Sequence, residues 1–214
     1  MMLETQYRDF WRFINLLQTN DLLQYVVVVG SWAEYLYSQS GLLEGFAANL
    51  RTLDIDFLIK NMRRTVTPVS ISSLAAEAGY TIDHDVIEGT TKIYTPDLME
   101  IEFVIEQKGR GENSVLKTNL GVKAQALRHL SSLTNNLITV QIFDFSILVP
   151  APEAYVIHKI IINQKRGVKA EKDIQSIIGL MPYLNKLRFS EVRESLTLKE
   201  KCKVDEFINQ KITT

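Results

Sequence analysis

Cysteine is almost absent from the chain: Cys202 is the one thiol among 214 residues. An internal disulfide is therefore excluded, and with it the small stapled scaffolds of secreted proteins. Three histidines and one cysteine leave no cluster with the spacing of a structural zinc site. Proline and glycine are scarce, at 5 and 10 residues, and no stretch rich in them marks a disordered linker. Long apolar runs are missing too. The cleanest, residues 25–29, has the length of a strand, far short of the roughly 20 residues needed to cross a bilayer. The N-terminal segment carries Glu4, Arg8, Asp9 and Arg12 and no signal-peptide core. A reduced, cytoplasmic setting without membrane contact is expected.

Charge of one sign is also lacking. The 24 Lys and Arg nearly cancel the 25 Asp and Glu, for a net charge of −1, which argues against a protein that coats nucleic acid over its whole surface. The cancellation hides an asymmetry: residues 1–150 hold 12 basic and 17 acidic side chains, and residues 151–214 hold 12 and 8. An acidic body with a basic tail suits a local site in which carboxylates hold a cation and nearby lysines meet an anion. With 46% apolar residues and no internal repeat, the chain has material for one large domain, or one with a smaller appendage.

The pattern that is present alternates strands and helices. Phe10, Phe13, Ile14 and Leu17 predict a helix over 3–24, and 25–29 reads as a buried strand broken at Gly30. A helix over 31–40 should stop at Gly41. The strand over 53–59 alternates, with Asp54 and Asp56 on one face and Leu53, Ile55 and Phe57 on the other. A helix over 70–78 should end at Gly79. Residues 80–106 read as an antiparallel meander with turns at Glu88-Gly89 and Pro96-Asp97, and its last strand puts Glu100 and Glu102 on one face. Residues 108–113 form a polar loop, 122–133 a helix and 137–149 a strand. Pro150 and Pro152 then punctuate the chain, and Pro152 suits the first turn of a helix over 153–164. A further helix begins near Ala170, and two more helical segments complete the tail. An α/β domain over 1–150 and a helical segment over 151–214, packed on its cleft, are expected.

The informative constellation is a strand, Gly30-Ser31, a helix, and then Asp54-Ile55-Asp56 on a strand. A strand that stops at Gly-Ser and opens a helix makes an anion site from free backbone N–H groups, the positive helix end and a hydroxyl. Two aspartates at i and i+2 of a strand repel each other unless a divalent cation lies between them. Such a cation bridges to phosphate, which points to metal-assisted phosphoryl chemistry. A third carboxylate on a neighbouring strand, Glu100 or Glu102, would complete the set. Trp32 reads as core, with Tyr35 and Leu36 on the sheet. His158 reads as a packed or capping residue, and His84 and His129 show no evident partner. Lys169 and Asp173 have the spacing of a surface ion pair. Arg63 and Arg64 could meet an acceptor phosphate, and Lys108, Arg110 and Gly111 could form a loop over the site.

These segments, VVVVGSWAEYLYS, RTLDIDFLI and MEIEFVI, resemble the nucleotidyltransferase superfamily of DNA polymerase β type. The stretch VPAPEAYVIHKIIINQKRGVKAEKDIQSI is similar to an uncharacterised bacterial nucleotidyltransferase-like family and, more distantly, to AbiEii-type toxins. The likeness covers roughly residues 25–178. It implies an α/β (α+β) nucleotidyltransferase fold, a small mixed sheet flanked by helices with a C-terminal helical segment. It implies that Gly30 and Ser31 hold the phosphates of a nucleoside triphosphate such as ATP, and that Asp54 and Asp56 bind magnesium or manganese. The third catalytic and metal-binding acid falls on Glu102 or Glu100, with Glu102 favoured because apolar strand follows it directly. Lys159, Arg166 and Lys172 would contact phosphate or pair with the acidic centre, and Asp173 would orient one of those cations. The activity so implied is transfer of a nucleoside monophosphate to a hydroxyl of RNA, protein or a small molecule. The alternatives are an inactive nucleotide- or partner-binding protein of the same fold, and a toxin with an antitoxin-like protein partner.

Overall fold

The computed structural model describes residues 2–50, 52–60, 69–84, 89–109, 115–163 and 166–211. Arg63, Arg64, Glu88, Arg110 and Gly111 lie outside these residues. In chain order the elements are α1 (Met2–Thr19), β1 (Val26–Val29), α2 (Ser31–Gln39), β2 (Asp54–Ile59), α3 (Ile71–Glu77), β3 (Thr81–His84), β4 (Thr91–Tyr94), β5 (Glu100–Glu106), β6 (Val115–Lys117), β7 (Lys123–Leu127), α4 (Ser131–Thr134), β8 (Leu137–Ile142), β9 (Phe145–Pro150), α5 (Pro152–Asn163), α6 (Ala170–Leu180), α7 (Lys186–Glu194) and α8 (Leu198–Lys211).

Helix α1 buries Phe10, Phe13, Ile14 and Leu17 along one stripe, the spacing of a helix with a single core face. It stops short of residue 24 because Asp21 takes a left-handed conformation, φ 56°. Among the described residues seven strands form one sheet. β1 runs antiparallel to β2, with Val29 opposite Asp56. β2 runs parallel to β5, with Asp54 opposite Glu100 and Asp56 opposite Glu102. The other edge of β5 is shared: β4 pairs antiparallel at Glu100 and Ile101, and β7 pairs parallel at Val104, Ile105 and Glu106. β3 lies outside β4 and β6 outside β7.

Strand alternation divides the two faces. Ile55, Phe57, Ile101 and Phe103 join α1 in the main core, where the Phe57 ring lies 5.4 Å from Phe13 and 5.9 Å from Phe103. The carboxylates therefore face the other way, toward the helices that follow Pro152. Leu53 does not share the apolar face; it precedes the strand and is 51% exposed.

Two expectations give way. Residues 122–133 are not a helix: strand β7 and the one-turn α4 occupy them. Val122, Ala124 and Ala126 are buried and alternate with half-buried Lys123, Gln125 and Leu127. That period of two is a strand's, and pairing with β5 overrides the helix preference of Ala and Leu. Residues 137–149 are two strands, β8 and β9, joined through Phe143 and Asp144. The turn carries no glycine and is made by Phe143 at φ 52°, so it has none of the usual hairpin signal.

Pro152 opens α5, as expected. This helix is buried nearly all round and packs against α4, α6, α7 and α8, which explains its apolar sequence. Tyr37 of α2 donates to the Pro150 carbonyl at 2.7 Å and so ties the body to the start of the helical tail. No described helix is long and apolar enough to cross a membrane.

Candidate active site

At the end of β1 the backbone of Gly30 turns with φ 67° and ψ −155°, a region that disfavours any side chain. A Cβ on Gly30 would also lie 2.7 Å from Asp56 Oδ2. The backbone conformation requires glycine, and any side chain here would also push the Asp56 carboxylate aside. Helix α2 starts at Ser31, and its first turn has backbone N–H groups with no intrahelical acceptor. Trp32 is fully buried, stacked on Phe10 at 4.2 Å, and its indole N–H donates to the Asp54 carbonyl at 3.1 Å. It anchors the strand that carries the acids and is core, as its position suggests.

The register of β1, β2 and β5 sets Asp54, Asp56 and Glu102 side by side along one cleft. Asp54 accepts a hydrogen bond from the Thr52 hydroxyl, and its Oδ2 lies 3.8 Å from Lys169 Nζ. Burial, with Asp54 and Glu102 close by, raises the Asp56 pKa from 3.8 to about 7, against the weaker pull of Lys169 and Arg166. Glu102 is also pushed up, chiefly by burial, while Lys92 draws it down. Lys92 Nζ stands 2.5 Å from Glu100 and 3.2 Å from Glu102. Of the two glutamates, Glu102 lines the cleft and Glu100 does not.

The opposite wall comes from α5 and α6, and the cleft between has a volume of about 750 Å³. Lys159 is buried and sits 2.9 Å from Asp173 and 3.6 Å from Glu34. Arg166 Nε reaches the other oxygen of Asp173 at 2.9 Å. Asp173 therefore orients two cations, and Lys169 turns to Asp54 in place of the expected surface pair with Asp173. Lys172 lines the cleft as well. Tyr155 brings its hydroxyl within 3.0 Å of the Gly30 carbonyl and 2.7 Å of Glu34 Oε1, which also accepts from Ser176 at 2.5 Å. His158 is buried with Nδ1 2.9 Å from the His129 carbonyl, and desolvation lowers its pKa to about 4. His129 has a partner after all, Glu200 of α8 at 2.8 Å.

Several cleft residues escape a reading by motif. Tyr155 occupies an unremarkable helix position in sequence, and so does its partner Glu34, which does not line the cleft. Gln6, from α1, lines the cleft with a buried Oε1 that has no partner. Gln125 lines it from β7, a segment whose helical expectation hid its direction.

Among the described residues no three His, Cys, Asp or Glu side chains form a ready cage for a metal ion. The donor set fits a less self-sufficient arrangement. Magnesium commonly takes one or two protein carboxylates and completes its shell with water and substrate phosphate, and Asp54 and Asp56 supply that pair. Desolvation and the neighbouring Asp54 and Glu102 raise the proton affinity of Asp56, and a divalent cation on the pair would offset both.

The sequence model of a family described as Nucleotidyltransferase matches residues 8–198. No curated protein matches. Solved structures that share the arrangement of elements include the following two. One is an antigenic nucleotidyltransferase-like protein from Paracoccidioides brasiliensis, 15% identical, with a TM-score of 0.51 over 92% of this chain and 85% of that one. The other is the antibiotic-resistance factor ANT(2'')-Ia, 13% identical, with a TM-score of 0.54 over 96% of this chain and 97% of that one. At such identities the likeness is one of fold. The similarity to AbiEii-type toxins rests on the sequence motifs alone.

Proposed function

The chain belongs to this nucleotidyltransferase family, and from that premise we propose that it transfers a nucleoside monophosphate from a nucleoside triphosphate to a hydroxyl acceptor. The acceptor oxygen bonds to the α-phosphorus, the bond from that phosphorus to the bridging oxygen of the β-phosphate breaks, and pyrophosphate leaves with the electron pair. The N–H groups of the first α2 turn and the Ser31 hydroxyl receive the β- and γ-phosphates. Asp54 and Asp56 would hold magnesium or manganese, which when bound neutralises the charge that develops on the phosphates. Glu102 takes the acceptor's proton, helped by the burial that raises its affinity for one. Lys169, Lys172 and Arg166 give the phosphates cationic partners along the α5–α6 wall.

The observation that carries this reading is the contact of the Gly30 turn with Asp56, which puts an anion-binding helix start against a carboxylate pair. The likeness to an antibiotic-resistance factor brings antibiotics among the candidate small-molecule acceptors. Incubation with each α-labelled triphosphate, magnesium and cell extract should label an acceptor. Asp54→Asn and Asp56→Asn should each abolish labelling while far-UV circular dichroism stays unchanged. Undiminished turnover in both variants would overturn the assignment.

A further inference from the structure

In-line displacement sets the attacking oxygen opposite the leaving group. With pyrophosphate held at the Gly30–Ser31 turn after β1, and the α-phosphorus over Asp54 and Asp56 of β2, the attacker comes from the β5 side. The strand order β1-β2-β5, with β7 next to β5, fixes that direction. The cleft continues there. Past Glu102 it is lined by Val104 and Gln125, which face each other across β5 and β7, by Leu127, and by Leu130 and Leu133 around α4. These leucines belong to an apolar cluster separate from the main core, with Val104 and Leu127 packed against it half-exposed.

Charge is distributed just as unevenly. Among the described residues, the charged side chains that line the cleft fall in two groups. Asp54, Asp56 and Glu102 form the acidic centre. Lys159, Arg166, Lys169, Lys172 and Asp173 stand on the α5–α6 wall. The arm over β7 and α4 adds none, and His158 beside it is neutral, since burial lowers its pKa to about 4. An ammonium group laid against these leucines would lose its hydration without a counter-ion. Lys123, on the Gln125 face of β7, and Arg128, after Leu127, do not line the cleft, so a nucleic-acid backbone inside the arm would find no cation to replace its own counter-ions.

We infer that this arm holds the body of the acceptor, and that the acceptor is an uncharged hydroxyl compound with an apolar alkyl or aryl body, anchored by the amide of Gln125. The inference rests on the nucleotide-transfer reading above and narrows its acceptor. A polycation is excluded by the uncharged lining of the arm. The arm is apolar with one polar anchor, the usual make-up of a small-molecule site.

The test uses the unaltered full chain, first titrated with each triphosphate in the presence and absence of magnesium. Triphosphate binding that needs the metal supports the transfer reading, and its absence defeats that reading by itself. With the binding triphosphate saturating, 2-phenylethanol, octyl glucoside, kanamycin and a short single-stranded RNA are then titrated by ligand-observed NMR. Saturable binding by the two neutral alcohols, and not by kanamycin or the RNA, is expected. Gln125→Leu and Leu127→Glu should each weaken the alcohols about tenfold. The first swaps a half-buried amide for an apolar group of similar size, so it remains informative if the second fails to fold. Binding by neither alcohol, tighter binding of kanamycin or RNA, or indifference of the alcohols to Gln125→Leu overturns the inference. Competition between the alcohols and the triphosphate also overturns it, because the arm would then belong to the nucleobase.

Discussion

At the scale of single residues, Asp56 shows how a site can be built against stability. Half-buried beside Asp54 and Glu102 under the Gly30 turn, its carboxylate has a pKa raised from 3.8 to about 7, chiefly by desolvation. The folded state therefore binds this proton more tightly than the unfolded chain between those two values. Stability falls as pH rises through that window, and the full penalty stands above it. Asp56→Asn, which cannot ionise, should raise the melting temperature clearly at pH 8 and less at pH 5, in buffer free of divalent ions. An equal gain at both values would show that charge is not the cause. The same variant is expected to lose turnover, a trade of activity for stability. The pairing of Asp54 with Asp56 was legible in sequence because two charged residues interrupt a strand at period two. The depth of Asp56 was not, since it depends on a turn and strands distant along the chain.

At the scale of elements, the site depends on which strands and helices meet, and motifs report that poorly. β1, α2 and β2 were legible because a β-branched run, a Gly-Ser turn and an alternating strand are local patterns. The parallel pairing of β2 with β5 is not local; it alone sets Glu102 beside Asp56 and leaves Glu100 to Lys92. β7 reads as a helix in sequence because Ala and Leu favour helices, and the Gln125 face is lost with that reading. The clamp between α5 and α2 was likewise invisible, because Tyr155 and Glu34 are 121 residues apart. By holding the Gly30 carbonyl, the Tyr155 hydroxyl fixes the peptide that starts the phosphate-binding turn. Tyr155→Phe removes the hydroxyl and keeps the ring that packs in α5. It should cost about 1 kcal/mol of stability and raise KM for the triphosphate several-fold with a smaller change in kcat. A loss confined to kcat would argue that the hydroxyl acts on the reacting atoms and not on the turn.

At the scale of the whole molecule, the opposed charges of body and tail prove to be partly internal. Lys159 and Arg166 both close on Asp173, and Lys169 leans to Asp54 across the cleft. Part of the tail's positive charge is thus matched by its own Asp173, and part faces Glu34 and Asp54 of the acidic body. The Lys159–Asp173 pair is the deepest part of this arrangement, with side chains 9% and 3% exposed, so salt should screen it little. Removing Asp173 leaves the buried Lys159 ammonium with Glu34 at 3.6 Å and the Tyr155 ring 5.1 Å away. Asp173→Ala should therefore lose on the order of 3 kcal/mol in urea unfolding. Replacing both charges, in Lys159→Met with Asp173→Leu, should recover most of that loss, since a buried pair contributes little more than apolar residues of similar volume. Activity should stay low in both proteins if the pair serves to set α5 and α6 against the cleft. A double variant no more stable than Asp173→Ala would mean that this cluster within the tail is held by its hydrogen bonds rather than by charge balance.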